Sequence, residues 1–368
     1  MKIVHITSAH SRNSTRIFHK MALSSVDFGH DVSLVVADGK KNNLKNSVSF
    51  YDVGRFDNKY LRFFVSSLKV VLEAKSLNAD VYHLHDPDLL LWALLLRGRN
   101  SKIFFDAHED YPLQILHKHY IPRYLRKPLS LAFECLQKFV CQRLYGVIAA
   151  TPFIREKFHH FIDKTVDIKN YPLRSEFSSS LAATTSLKSS SFVASYVGGI
   201  TTVRGIKEVV KAFELLSDQF SLKLAGNFLE TNLQDTLQSM CGWSHVDYEG
   251  FLSRPEVIDL LGRSNCGIVT LHPTANYIDA LPIKMFEYMA IGIPVIASDF
   301  PLLRSIIEKH ECGLLVDPQD PVAISKAIQY LYDNPTRASE MGHNGKMAFV
   351  SSLNFNSEAI LLNEFYGA

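Results

Sequence analysis

Short apolar runs of strand length alternate with longer amphipathic stretches from the first residue onward, and this alternation constrains the fold more than any other feature. The runs in the first half are KIVHIT (2–7), DVSLVVA (31–37), VSFYDV (48–53), VYHLH (81–85), KIFFDAH (102–108) and GVIAAT (146–151). In the second half they are SFVASYVG (191–198), FSLKLAG (220–226), VDYEGF (246–251), CGIVTLH (266–272), PVIAS (294–298) and CGLLVD (312–317). Helical stretches separate most of them, so each set predicts a parallel sheet covered by helices. Between the sets, RSEFSSSLAATTSLKSSS (174–191) holds eight Ser and two Thr in 18 positions without apolar periodicity, which reads as a flexible connector. A chain of 368 residues exceeds one ordinary core. Two α/β domains are therefore expected, over 1–173 and 192–350. Residues 351–368 form a closing helix with an Asn cap at 354 and apolar positions Ile360, Leu361 and Phe365. That helix has either half to pack on, including a return to the first domain.

With 47% hydrophobic and 21% charged residues, the composition is that of a soluble globular protein. A net charge of +2 gives no reason to expect a nucleic-acid partner. Cys135, Cys141, Cys241, Cys266 and Cys312 include no CxxC pair and read as buried thiols of a reducing compartment. The opening MKIVHITSAHS turns polar too soon for a signal peptide, and no apolar run approaches the roughly 20 residues of a membrane span. A cytoplasmic location is expected.

In such sheets ligands bind beyond the carboxyl ends of the strands, so a site in a cleft between the halves is expected. The loop after the first strand, SAHSRNSTR, lacks the GxGxxG fingerprint of dinucleotide enzymes. It offers His10, Arg12 and Arg16 ahead of a helix, either as ligands of phosphate or an anionic acceptor or as ordinary surface charge. The second half opens with YVGGITTVRGIKEVV, where Gly198 and Gly199 permit close backbone approach. Arg204 or Lys207 then stands ready to complete a phosphate shell. In DALPIKMFEYMAIGIPVIASD (279–299), Leu281 and Pro282 mark a turn into a helix that starts near Ile283. The free amides of 281–283 suit a diphosphate, and Glu287 lies on the same face as Lys284 by the i, i+3 rule. A carboxylate fixed on a helix suits two vicinal hydroxyls, as on a ribose. Asp279 approaches from before the turn.

Taken together these motifs resemble the family 4 retaining glycosyltransferases, whose GT-B fold sets two Rossmann-like domains facing across a cleft. The likeness spans nearly the whole chain and is strongest from Tyr196 to Pro318. VGG…RG resembles the family's VGR…KG phosphate turn, and DALPIKMFE resembles its E-x7-E segment, with CGLLVDPQDP following. The resemblance implies a ribose-binding role for Glu287, a place beside the donor sugar for Asp279, and a sugar contact for His108 in FDAHEDYP. It also implies transfer of a hexosyl or N-acetylhexosaminyl unit from a nucleotide diphosphate sugar, UDP being expected ahead of GDP. The acceptor would be a glycan, in this setting lipid-linked, of a surface polysaccharide such as an O-antigen or capsule. No cofactor is implied. Three positions depart from the pattern: Gly199 stands where the family has Arg, Asp279 where it has Glu, and the first loop lacks a glycine pair. A nucleotide-sugar 2-epimerase and an inactive nucleotide-sugar-binding subunit are the alternatives.

His83 and His85 share one strand face, but Asp86 and Asp88 are the only carboxylates beside them, and no metal is expected. Residues 113–145 carry Lys118, Arg123, Arg126, Lys127, Lys138 and Arg143 against the single acid Glu134, interleaved with apolar side chains. This reads either as a segment docking on an anionic membrane surface, at the inner face of the cell membrane, or as a core helix with a basic outer face. Pro122 and Pro128 are expected to break it into pieces.

Overall fold

A computed structural model describes residues 1–58, 61–118, 121–178 and 191–367. The chain divides into two compact units, residues 1–170 with 356–368 and residues 171–355. Of the Ser-rich stretch, 179–190 lies outside the described residues, and Arg174–Phe177 forms one short 3-10 turn.

The first unit is built on an eight-stranded sheet: β1 Lys2–Ile6, β2 Asp31–Val36, β3 Asn43–Lys45, β4 Val48–Asp52, β5 Val81–Leu84, β6 Lys102–Ala107, β7 Gly146–Ala149 and β8 Thr165–Asp167. Its order is β3-β4-β2-β1-β5-β6-β7-β8, parallel except for β3 on β4. The second unit holds β9 Phe192–Val197, β10 Phe220–Ala225, β11 Val246–Gly250, β12 Cys266–Val269, β13 Val295–Ser298 and β14 Gly313–Val316, in the order β11-β10-β9-β12-β13-β14. Counted from β9 this reads 3-2-1-4-5-6, the doubly wound order, and all its pairings are parallel. Strand order reverses direction beside β1 and β5 in one unit and beside β9 and β12 in the other. The loops leaving those strands diverge there and open a crevice.

Both units are therefore Rossmann-like α/β layers, as the alternation predicted. The apolar runs were readable because helices cover both faces of a parallel sheet, which leaves its central strands almost wholly buried. Alternation then sorts side chains to opposite cores. Ala194 and Tyr196 of β9, Phe220, Leu222 and Leu224 of β10 and Ile296 of β13 join one cluster. Val197, Ala225, Val295 and Ala297 join the other, against Met285, Phe286 and Met289.

Four details differ from the sequence reading. The short strands β3 and β8 carry no apolar run, and their pairing is imposed by their neighbours. Pro122 caps helix α1, Arg123–Cys141, but Pro128 lies inside it without breaking it. The bond that Pro128 cannot donate would go to the carbonyl of Tyr124, which lies on an exposed turn open to solvent. Two thiols, Cys135 and Cys241, are exposed, while Cys141, Cys266 and Cys312 are buried. The last helix, numbered below, turns a different stripe inward.

Helices α2, Ile206–Phe213, α3, Arg254–Gly262, and α4, Ile283–Ile291, follow in the second unit. The closing helix α5, Phe355–Gly367, runs into the first unit from residue 356 onward. Phe355, Glu358, Ala359, Leu362 and Tyr366 are its buried positions, whereas Ile360 and Leu361 are 51% and 43% exposed. The Tyr366 hydroxyl reaches the sheet interior at His83 Nδ1, 2.6 Å away. Among the described residues, no helix is long and apolar enough to cross a membrane.

Candidate functional site

At the switch point of the second unit, β9 runs out into Gly198 and Gly199, and β10 into Gly226. The backbone of Gly226 takes φ 142°, and a Cβ there would sit 1.9 Å from the Gly198 carbonyl oxygen. The two loops touch backbone to backbone, which only glycine permits. Gly226→Ala is expected to cost at least about 2 kcal/mol in the second unit's denaturant-unfolding free energy. A loss under about 0.5 kcal/mol would contradict this packing.

After Gly199 the chain makes a 3-10 turn, Thr202–Arg204, and Gly205 enters α2 at φ 74°. Arg204 folds back over the turn. Its Nη1 donates to the Gly199 carbonyl at 3.0 Å and its Nε to the Tyr277 hydroxyl at 3.2 Å. A Cβ on residue 199 would lie 2.8 Å from that Nη1. The guanidinium thus fills the space a side chain at 199 would claim.

Pro282 precedes α4 with φ −68°, and no side chain caps the helix start, so its first amides are open to a ligand. At the other end Gly292, at φ 94°, closes the helix in the left-handed conformation. Lys284, in the first turn, is half-buried as a residue, but its Nζ is shut from solvent and has no hydrogen-bond partner among the described residues. It lies 3.5 Å from the centre of the Tyr196 ring. Burial, followed by the charge of Arg204, lowers this ammonium from an ordinary 10.5 to about 7. One turn further, Glu287 is 7% exposed. Its Oε1 accepts from Arg254 Nη1 at 2.5 Å, and Arg254 Nε reaches Glu176 Oε2 at 2.6 Å. Arg254 opens α3 inside a capping box formed by Ser253 and Glu256.

These groups line one cavity of about 640 Å³ in the second unit. Gly198, Gly199, Arg204, Pro282, Ile283, Lys284 and Glu287 are on its wall. Lys207, on the outer side of the first turn of α2, and Leu281, packed against the core, are not. Asp279 is half-buried in the loop before α4, next to Ala280, which does line the cavity. Arg204, Lys284 and the α4 amides make one wall attractive to an anion. Glu287, oriented by Arg254, makes another wall an acceptor for hydroxyls. Sequence reasoning missed Arg254, Tyr277 and Glu176. Only the SRPE capping signature hinted at α3, and nothing local pointed Arg254 at Glu287.

In the loop and helix after β1, Arg16 is not available to a bound phosphate or acceptor as expected: it is buried, with Nη2 2.7 Å from Asp106 Oδ1, Nε 2.9 Å from Oδ2, and Nη1 on the Ile168 carbonyl. Arg12 is likewise tied to Asp38 and Asn43. Arg12, in the turn before the helix Thr15–Ala22, and Arg16, in its first turn, thus serve as internal ties within the unit. His10 alone keeps an exposed side, with Nδ1 2.8 Å from Asp86 Oδ1. Burial pushes the Asp86 carboxyl up, but hydrogen bonds from His10, Thr7 and Ser8 outweigh it and hold the group below the usual range. The hydrogen bond to Asp86 in turn raises His10. His108 is half-buried with its ring 5.4 Å from that of His10, edge on, and its Nδ1 has no partner among the described residues.

Residues 181–348 match the family described as Glycosyl transferases group 1, and residues 15–168 match Glycosyltransferase Family 4. Among curated relatives, the D-rhamnosyltransferase WbpZ of Pseudomonas aeruginosa is 30% identical over 27% of this chain and 26% of its own. The putative glycosyltransferase EpsD of Bacillus subtilis is 27% identical over 42% of this chain and 40% of its own. The matched stretch thus spans less than half the length of these relatives. Among solved structures, Anabaena Alr3699/HepE in complex with UDP superposes with a TM-score of 0.76 at 14% identity, covering 100% of both chains. The same Anabaena protein has also been solved with UDP-glucose, where the TM-score is 0.71.

Proposed function

Because the chain belongs to the family 4 glycosyltransferases of the GT-B fold, we propose that it is a retaining transferase that moves a hexosyl or N-acetylhexosaminyl unit from a nucleotide diphosphate sugar to a glycan acceptor. The observation that carries this reading is the wall shared by Arg204, Lys284, the open α4 amides and the oriented carboxylate of Glu287. A nucleoside diphosphate has the same order of groups, with phosphates beside a ribose diol. Glu287 accepts from the two ribose hydroxyls, and the cations and amides hold the diphosphate.

In the transfer, the bond from the anomeric carbon to the diphosphate breaks as the bond to the acceptor oxygen forms on the same face. The acceptor's proton leaves with the departing phosphate oxygen. The negative charge that develops on the diphosphate is met by Arg204, Lys284 and the α4 dipole, which are fixed before the reaction begins. In this reading the protein's own cations do the neutralising, without a metal at the diphosphate. His108 and Asp279 are assigned to orienting the sugar and the incoming hydroxyl. UDP is the favoured nucleotide, in keeping with what the Anabaena protein binds. The reaction is placed in the building of a surface polysaccharide, in keeping with the name of a further relative, the capsular polysaccharide biosynthesis glycosyltransferase CapM of Staphylococcus aureus, 25% identical over 44% of this chain and 42% of its own. A lipid-linked acceptor at the inner membrane face completes the proposal.

Incubation with a panel of UDP and GDP sugars, with and without lipid-linked glycan, tests the reaction class. Sugar transfer that requires acceptor and preserves the anomeric configuration is expected. Release of epimerised free sugar without acceptor would replace the proposal with an epimerase, and nucleotide-sugar binding without turnover would replace it with a binding subunit.

The α1 helix supplies a surface for the acceptor's membrane. Tyr124, Leu131 and Phe139 are 77%, 62% and 52% exposed, among the cations Arg123, Lys127 and Lys138. Tyr124→Glu with Leu131→Glu is expected to weaken sedimentation with anionic phosphatidylglycerol vesicles by at least about tenfold, without altering UDP affinity. Equal sedimentation of the variant and the parent would remove α1 as the docking face.

A further inference from the structure

Three histidines meet in the interior of the first unit. His5 on β1 is in register with His83 on the neighbouring β5, and His85 follows two positions later, all three fully buried. Strand alternation brings only two of these rings together. The third arrives from the parallel neighbour, a pairing that no spacing within one strand reveals.

We propose that His5, His83 and His85 form a binding site for a divalent transition-metal ion of the zinc or cobalt class. One ring nitrogen from each residue lies within 4.8 Å of the others. His5 Nδ1 and His85 Nε2 are 3.0 Å apart. The edge between two ligand nitrogens of a tetrahedral zinc site is roughly 3.3 Å, so that pair opens by a few tenths of an ångström to admit the ion.

The far nitrogens of two rings are already engaged as they are in metal sites. His85 Nδ1 is 3.1 Å from Asp106 Oδ2, and His83 Nδ1 is 2.6 Å from the Tyr366 hydroxyl. Such outer partners set a ring's tautomer and direct its other nitrogen at the metal. His83 Nε2 and His5 Nε2 have no hydrogen-bond partner among the described residues although both are buried. An interior ring nitrogen without a partner is rare in a folded protein, and a metal bond accounts for one. The Asp106 carboxylate behind His85 is itself paired with the Arg16 guanidinium, so the ion would be held by the three imidazoles rather than by a net negative pocket. Three imidazoles with no thiolate select zinc, cobalt or nickel over calcium or magnesium. The ion would tie β1 to β5 and, through Tyr366, to α5.

The test uses the full chain, refolded from denaturant with Zn²⁺ or Co²⁺ and, separately, incubated with each ion in the folded state. After passage over chelating resin, bound ion is measured by plasma mass spectrometry and Co²⁺ geometry by visible absorption. About one ion per chain is expected, with the intense absorption of four-coordinate Co²⁺. His5→Gln and His83→Gln should each retain under about a tenth of that ion while keeping the parent circular dichroism. Tyr366→Phe keeps all three rings and should weaken the affinity about tenfold. Wild-type protein with under about 0.1 ion per chain by both routes overturns the site and leaves a hydrogen-bonded histidine cluster. Unchanged loading in the two glutamine variants places the ion elsewhere and also overturns it. If those variants do not fold, the decision falls to the wild-type cobalt spectrum and Tyr366→Phe: six-coordinate absorption, or an affinity unmoved by the phenylalanine, counts against the site.

Discussion

Lys284→Met is expected to make the ligand-free protein more stable at pH 7 and, at the same time, to weaken UDP binding about 100-fold. The two effects share one origin. A lysine lowered from 10.5 to about 7 is held in the fold at a cost of about 4 kcal/mol at pH 7. The face of Tyr196 returns about 2 kcal/mol of that. Methionine fills similar volume without a charge to desolvate, so a gain of about 2 kcal/mol is expected, seen as roughly 4–8 °C in the melting of a unit of this size. The pH dependence has a definite sign. Between pH 7 and 10.5 the unfolded chain holds the Lys284 proton and the folded chain does not, so the parent's stability rises with pH across that window. In Lys284→Met that rise disappears.

Nucleotide binding runs the other way. A diphosphate beside Lys284 favours the ammonium form, so the parent takes up a proton on binding above pH 7, and its affinity falls by up to about tenfold per pH unit. Calorimetric titrations in buffers of different ionisation enthalpy read that uptake directly. A variant that is destabilised, or that binds UDP as tightly as the parent, would mean that Lys284 is a core lysine and not a phosphate ligand.

Glu287→Ala is expected to raise the UDP dissociation constant about 1,000-fold. Two hydrogen bonds from ribose hydroxyls to a carboxylate are worth roughly 1.5–3 kcal/mol each, and alanine removes both. Glu287→Gln keeps one acceptor and should fall between the two, at a loss of about 30-fold. The fold should survive both changes, because Arg254 retains Glu176 as a partner and is 38% exposed. Unchanged circular dichroism with lost binding is therefore the expected pair of readings. Equal UDP affinity in parent and Glu287→Ala would remove Glu287 from the nucleotide site.

The sequence disclosed the parts of this molecule that repeat a local rule. Twelve runs named their strands, the central ones because a doubly covered parallel sheet is apolar on both faces. Gly198 and Pro282 announced a turn and a helix start because few other residues take those conformations so readily. What stayed hidden depends on partners distant in the chain. Arg16 looked like an anion ligand until Asp106, 90 residues away, claimed it. Arg254 reaches Glu287 across 33 residues, and no local pattern marks it. The inward stripe of α5 departs from the expected one because Ile360 and Leu361 are turned outward, while Ala359, Leu362 and Tyr366 pack. The departure at Gly199 had a local answer five residues on, in Arg204, but only the folded turn shows that the guanidinium occupies the vacated space.

The central claim is that the cavity of the second unit receives a nucleoside diphosphate between its cationic wall and Glu287. Equilibrium titration of the full chain with UDP, in parallel with Glu287→Ala, tests it most directly. The expected result is one UDP per chain with a dissociation constant below about 100 μM, lost in the variant. No saturable binding of UDP or GDP by the parent up to about 5 mM, or equal binding by parent and variant, would contradict it.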